Sequence, residues 1–144
     1  DVVPFAACAA DEGADGVSLI NTLYGMRIDP ENRRPILGTG SGGLSGPAIL
    51  PVGIHWTYRV RAALPDLPII GIGGIAGWRD ALEYLLAGAQ AVQVGTAAFV
   101  HPTAAPEIVA GLERWCRERD TTIVRLVGAA HRGGALAGEP VWTG

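Results

Sequence analysis

The sequence has 144 residues and a mass of 14.9 kDa, enough for one domain with a sizeable core. Hydrophobic residues make up 49% of the chain and charged residues 17%, a composition typical of globular rather than disordered proteins. The formal net charge is −3, and no basic stripe is present to neutralise phosphates, which argues against a nucleic-acid binder. All 11 basic residues are arginine, so no lysine can form a Schiff base within this chain.

Two cysteines, Cys8 and Cys116, have neither the spacing nor the number for a disulfide framework or a zinc site. We therefore expect no metal and a reducing, cytoplasmic compartment. No apolar run reaches the roughly 18–20 residues of a membrane span, and no signal-peptide pattern is present. Because the chain begins with Asp1 and not with Met, we expect it to be a piece of something longer.

Short apolar runs alternate with longer amphipathic segments along the chain. The predicted elements are a helix over 2–12, a strand over 16–20, a helix over 47–63, a strand over 68–72, a helix over 78–87, a strand over 91–94, a helical turn ending at residue 100, and helices over 104–119 and 121–130. In the first helix, Phe5, Ala6 and Ala9 are predicted to face the core. The long Gly- and Pro-rich connection over 23–46 is of a length that is usually functional.

Strands that alternate with helices predict βαβ units and a parallel sheet. The continuously apolar second strand predicts burial on both faces, as is usual in parallel sheets. Two architectures fit, an open doubly wound sheet or a (β/α)8 barrel. A full barrel needs about 250 residues, so three strands in this chain would be less than half of one. We place the domain at residues 1–130 and predict a flexible Gly- and Ala-rich tail at 131–144.

Glycine follows two of the predicted strands, and ligands bind at the carboxyl ends of strands in such folds. Gly73 and Gly74 end the second strand, and Gly95 and Thr96 end the third. Such ends let backbone N–H groups reach an anion, and the short helix after Gly95 adds its positive end. Together they favour a phosphate site over plain tight turns.

Polar side chains also follow the first strand, where Asn21 and Thr22 come directly after an apolar run. An asparagine amide donates and accepts at once, which suits a planar amide or a carboxylate ligand. The alternative is that these side chains cap the following turn. No histidine or cysteine in the sequence is placed to be a general base or half of a Cys-His pair.

Five segments of the sequence resemble dihydroorotate dehydrogenases, in order and with similar spacing. They are GADGVSLINTL at 13–23, GMRID at 25–29, GGLSGPAI at 42–49, IIGIGGI at 69–75 and AVQVGTA at 91–97. The Ile-Asn-Thr-Leu and Val-Gln-Val-Gly-Thr runs resemble the class 1 enzymes and, within them, the NAD-linked catalytic subunit. The resemblance implies the C-terminal part, about three βα units, of an FMN-binding TIM (β/α)8 barrel.

The resemblance also implies a role for each matching residue. Asn21 and Thr22 would hold dihydroorotate or orotate. The residues implied to contact FMN are Ile20 and Gly46, with Gly73, Gly74, Gly95 and Thr96 at its phosphate. The catalytic cysteine of the class and its flavin-contacting lysine lie upstream of this segment in the family, so no catalytic residue is assigned here, and the fragment alone is expected to be inactive.

The resemblance implies FMN-dependent oxidation of dihydroorotate to orotate in pyrimidine biosynthesis. It further implies a homodimer or hetero-oligomer and an electron-transfer subunit that carries FAD and a [2Fe–2S] cluster, with no nucleic-acid or membrane partner. Two alternatives stay open. One is a related FMN barrel such as a dihydropyrimidine dehydrogenase domain, and the other is a non-catalytic half-barrel that binds phosphate ligands.

Overall fold

The structure is a computed structural model that describes residues 1–136 and residue 138. The helices in that part are α1 Val3–Asp11, α2 Leu50–Ala63, α3 Trp78–Ala87, α4 Thr96–Val100, α5 Ala104–Glu118 and α6 Ile123–Leu126. The strands are β1 Val17–Leu19, β2 Leu23–Gly25, β3 Ile28–Asp29, β4 Arg34–Pro35, β5 Gly42–Leu44, β6 Ile69–Ile72 and β7 Ala91–Gln93. One turn of 3-10 helix, Pro47–Ile49, precedes α2.

A three-stranded parallel sheet in the order β1-β6-β7 lies at the centre of the molecule. Val17 pairs with Ile69, and Gly71 pairs with both Leu19 and Val92. The predicted α/β architecture with a parallel sheet is therefore confirmed. The three strand positions were each predicted to within two residues.

The two faces of this sheet have different surroundings. Leu19 and Ile69 point to the face that α2 and α3 cover, and Ile69 is only 1% exposed. Ser18, Ile70 and Ala91 share one register row on the other face, where Ile70 is 43% exposed. The prediction that the second strand is buried on both faces is wrong for this structure, because the described helices cover one face only.

The core forms where α1, α2 and α3 pack on the covered face of the sheet, with α5 packed on α3. Ala6 is buried as predicted, but Phe5 is 77% exposed, because α1 presents only a narrow alanine-rich stripe to its neighbours. Gly88 ends α3 in the left-handed conformation, with φ of 117°. Gly111 allows α5 to approach Trp78, whose ring a Cβ at this position would overlap.

The long connection over 23–46 is more regular than predicted. It contains two antiparallel pairs, β2 with β5 and β3 with β4. In the β3–β4 turn, the Asp29 carboxylate accepts hydrogen bonds from the Asn32 side chain and from the N–H groups of Glu31 and Asn32. The bond from the Asn32 side chain is the main cause that lowers the pKa of Asp29. The connection is therefore a folded β-arm and not an irregular loop.

The predicted helix over 121–130 is two shorter pieces, α6 and a 3-10 turn at Ala129–Arg132. Arg132 donates to the carbonyls of Val127 and Ala135, which orders the first residues of the predicted tail. Residue 137 and residues 139–144 lie outside the described residues, so the flexible tail and the boundary at 130 stay predictions. None of the helices in residues 1–136 has both the length and the apolar character that a membrane crossing requires.

We expect the isolated 144-residue chain to self-associate. In the described residues, the outer edges of β1 and β7 carry no partner strand, and an unpaired edge invites pairing with another chain. The exposed side chains of Ile70 and Phe99 add apolar surface, Phe99 being 91% exposed. Light scattering over a concentration series should show oligomers, and a monodisperse monomer with a cooperative melt would contradict this expectation.

Candidate functional site

A cavity of about 720 Å³ opens at the carboxyl edge of the parallel sheet. This volume lies within the range of roughly 300–1,000 Å³ that is typical of small-molecule sites. Its walls come from the ends of β1, β6 and β7 and from the segment that leads into α2. The structure brings together here all eight residues selected from the sequence: Ile20, Asn21, Thr22, Gly46, Gly73, Gly74, Gly95 and Thr96.

The lining of this cavity is mostly apolar and contains neither a carboxylate nor an arginine among the described residues. His101 at the rim is the one ionisable side chain in that lining. The apolar walls are formed by Ile20, Pro47, Ile49, Ile72, Ile75, Ala97 and Val100. A flat apolar ring fits such walls, and an anion would meet no opposing carboxylate.

The glycine pair at the end of β6 turns the chain sharply beneath the cavity. Gly73 and Gly74 both have positive φ, 123° and 76°. A Cβ on Gly74 would lie 2.7 Å from the backbone nitrogen of Leu50, so only glycine allows β6 to end this close to α2. Outside the strand ladders, the N–H of Gly74 has no hydrogen-bond acceptor in the described part of the chain. One free backbone donor therefore lines the cavity at this turn.

The loop after this pair is fixed by Asp80 in the first turn of α3. Its carboxylate accepts hydrogen bonds from the N–H groups of Ala76 and Gly77, at 2.8 and 2.9 Å. These bonds satisfy donors that a helix start leaves unpaired, and they hold the loop against the helix. The position of the glycine pair is thereby fixed from its C-terminal side.

Sequence analysis missed Tyr84 of α3, which also fixes the turn at Gly73 and Gly74. Its hydroxyl is 2.8 Å from the carbonyl oxygen of Gly73 and 3.0 Å from that of Ile72. Burial raises the pKa of Tyr84 to about 12, so the hydroxyl stays protonated and donates. The available signal was its spacing of three residues from Ala81, which places both side chains on the buried face of α3. A buried tyrosine hydroxyl needs a hydrogen-bond partner.

At the end of β7, Gly95 precedes α4 and Thr96 is its first residue. The Thr96 hydroxyl donates to the Ser45 hydroxyl at 3.1 Å, which joins this strand end to the segment before α2. Gly46 in that segment has φ of 84° and lies close to Thr96. The N–H of Gly95 has no acceptor among the described residues. A second free donor thus belongs to a residue that lines the same cavity.

At the end of β1, the Asn21 side-chain oxygen accepts the N–H of Thr22 at 2.8 Å. This is the turn cap that the sequence left open as an alternative. The amide nitrogen of Asn21 has no partner within the described residues, so one half of the amide remains available to a ligand. The Thr22 side chain packs against Gly43 of β5. A Cβ on Gly43 would overlap the Thr22 hydroxyl.

The other candidates considered from the sequence lie elsewhere. Cys8 is exposed on α1, while Cys116 is buried on α5, and this burial raises the pKa of its thiol. His55 is edge-on to Trp56, and the His131 ring stacks on Tyr58. No group of three or more metal-ligating side chains occurs among the described residues.

Residues 1–115 match the sequence profile of the family described as dihydroorotate dehydrogenase. This chain belongs to that family. Over 130 residues it is 55% identical to the dihydroorotate dehydrogenase B (NAD(+)) catalytic subunit of Pelobacter propionicus, a match that covers 90% of this chain and 42% of that protein. The protein of the same name from Parabacteroides distasonis is 47% identical over the same shares.

A relative from Aquifex aeolicus is named for the fumarate-linked type A and is 48% identical, over 92% of this chain and 44% of that protein. The chain thus spans about two fifths of the length of the curated relatives it matches.

Proposed function

We propose that this chain is the C-terminal part of an FMN-binding (β/α)8 barrel that oxidises dihydroorotate to orotate in pyrimidine biosynthesis. The observation that carries the proposal is the single cavity lined by all eight residues that matched the family's motifs. They come from three strand ends and from the segment before α2. Ligands bind at this edge of parallel sheets. The reaction belongs to the whole protein, because this chain spans 42% of its Pelobacter relative.

The difference between the two faces of the sheet, one covered by helices and one exposed, supports the proposed barrel. In a (β/α)8 barrel, helices cover the outside of the strands, and side chains from all strands fill the interior. Ile69 fits the outer, helix-covered face, and Ile70 with Ala91 fits the interior. The remaining strands would then cover the exposed row and pair with the free edges of β1 and β7.

The residues at the cavity fit FMN. The N–H groups of Gly74 and Gly95 are donors without a carboxylate nearby, which suits a phosphate, and Gly73 and Thr96 line the same cavity. Ile20 and Gly46 lie on the wall that would contact the flavin ring. When bound, FMN supplies the redox chemistry, while these residues hold it in place.

Asn21 and Thr22 are the proposed substrate residues. Orotate carries a carboxylate and ring amide groups, and the free amide nitrogen of Asn21 can donate to either acceptor. The resemblance to the family implies that the catalytic base lies in the part of the barrel that precedes β1.

The names of several relatives favour NAD as the final electron acceptor. The Pelobacter and Parabacteroides proteins are named as catalytic subunits, which implies a second, electron-transfer subunit; we propose that it carries FAD and a [2Fe–2S] cluster. The fumarate-linked name of the Aquifex relative is the competing possibility. Reduction of NAD by the purified complex, in the presence of dihydroorotate, decides between them. We further propose a homodimeric or hetero-oligomeric enzyme in the cytoplasm.

In the full-length protein, Asn21→Ala is expected to raise the dissociation constant of orotate by roughly ten- to a hundredfold. An unpaired buried polar group costs about 1–3 kcal/mol, and each tenfold change in affinity is about 1.4 kcal/mol. An orotate titration followed by flavin absorbance measures the effect, with FMN content expected to change little.

Two further variants separate ligand binding from turn capping. Asn21→Asp keeps an oxygen for the Thr22 N–H but loses the amide donor, so orotate binding should still fall. Asn32→Ala, in the β3–β4 turn, is the matched control and should leave orotate affinity unchanged. Full orotate affinity in Asn21→Asp would show that Asn21 is only a cap.

A further inference from the structure

We propose that Tyr84 is a positioning residue for the FMN phosphate, whose hydroxyl turns the N–H of Gly74 towards the cavity. The inference rests on the proposed function, because it assigns a role within the same site. Tyr84 does not line the cavity and is 0% exposed, so it can act only through the backbone that it holds.

The slot that holds Tyr84 is closed by two glycines. A Cβ on Gly53 of α2 would overlap the Tyr84 hydroxyl, and a Cβ on Gly71 of β6 would overlap its ring. Both glycines are buried. The ring therefore has one place to lie, directly beneath the end of β6, and its hydroxyl reaches the two carbonyl oxygens at the turn.

Because the peptide bond is planar, this contact with the carbonyl also sets the direction of the N–H group in the same peptide unit. In a trans peptide unit, the carbonyl of one residue and the N–H of the next point in opposite directions. The hydroxyl is within hydrogen-bond distance of the carbonyls of Ile72 and Gly73, and the Gly73 oxygen is the nearer of the two. The N–H of Gly74 belongs to the same peptide unit as the Gly73 carbonyl, so it points away from Tyr84. Gly74 lines the cavity.

The same hydrogen bonds connect the phosphate end of the cavity with the substrate end. The carbonyl oxygen of Ile72 also accepts the N–H of Ile20 at 2.9 Å, and Ile20 precedes Asn21. Tyr84 thus supports a carbonyl that both strand ends share. The direct effect is expected at Gly73 and Gly74, because the Gly73 carbonyl has no other donor among the described residues.

The test compares the affinities of the full-length apoprotein for FMN and for riboflavin, which lacks the phosphate. The ratio of the two dissociation constants isolates the contribution of the phosphate. We expect the wild type to prefer FMN at least about a hundredfold, and Tyr84→Phe to reduce this preference about five- to twentyfold. Tyr58→Phe is the matched control, because it removes the hydroxyl of a tyrosine that stacks on His131 away from the cavity. It should leave the ratio unchanged.

A merely structural role for Tyr84 would weaken both flavins equally or affect only the melting temperature, and either result overturns the proposal. Gly53→Ala keeps the hydroxyl but displaces it, and it should lower the FMN preference in the same direction if Tyr84→Phe fails to fold. An unchanged ratio in Gly53→Ala would also overturn the proposal. A wild type with no preference for FMN over riboflavin would instead show that the phosphate site itself is misplaced, and the role of Tyr84 with it.

Discussion

Gly95→Asp in the full-length protein is expected to weaken FMN binding by more than about a hundredfold. A Cβ at this position meets no other atom within 4 Å, so the substitution introduces a carboxylate without a steric clash. Two like charges about 4 Å apart near a protein surface repel by about 4 kcal/mol. A hundredfold loss requires about 2.8 kcal/mol, so the repulsion exceeds what is needed.

Gly95→Asn is the matched control, because it has nearly the same shape and carries no charge. It should cost only a few-fold in affinity, measured by flavin fluorescence on the apoprotein. Gly73→Asp is a less specific test, since Gly73 has φ of 123° and any side chain there is strained. Equal FMN affinity in the aspartate and asparagine variants of Gly95 would place the phosphate elsewhere.

Of two neighbouring isoleucines, only Ile70 should become more important for stability when the barrel is complete. In the isolated chain, Ile69→Ala should cost about 2–5 kcal/mol of unfolding free energy, because Ile69 is 1% exposed in the core. Ile70→Ala should cost less than about 1 kcal/mol there, because its side chain is 43% exposed. In the full-length protein, where Ile70 would face the barrel interior, both substitutions should be costly.

Denaturant unfolding of the four variant proteins measures this difference, with the two wild-type proteins as references. Ile69→Ala serves as the control, because its environment is the same in both contexts under the proposal. If Ile70→Ala stayed mild in the full-length protein, the open face of the sheet would not be the interior of a barrel.

The elements that local pattern determines were predictable. The runs around Ile69 and Val92 are mostly apolar and bounded by turn residues, and the helix before Gly88 has the spacing of a buried face and ends at a glycine. Ligands bind at the strand ends of such sheets, and this rule predicted that Asn21, Gly73 and Gly95 lie at one edge of the sheet. The structure places these residues around one cavity.

The rest depends on contacts between distant residues, which a sequence pattern does not encode. The β-arm was missed because β2 and β5 pair Leu23 with Leu44, two residues that an irregular-looking segment separates. Tyr84 was missed because its role depends on Gly53, Gly71 and the carbonyl of Gly73, which no helical periodicity reveals. The exposure of Ile70 follows from the packing of the described helices against one face of the sheet only, which the apolar run does not reveal.

The hydrogen bond between Thr96 and Ser45 has a consequence for the order in which the protein assembles. The two residues are 51 positions apart, and the cavity wall as a whole spans residues 18 to 101. The entropy of closing such loops must be lost before any part of the wall is complete. Under the proposed function, a flavin that binds this wall would contact residues from all of these segments, so its binding would stabilise the finished arrangement by mass action.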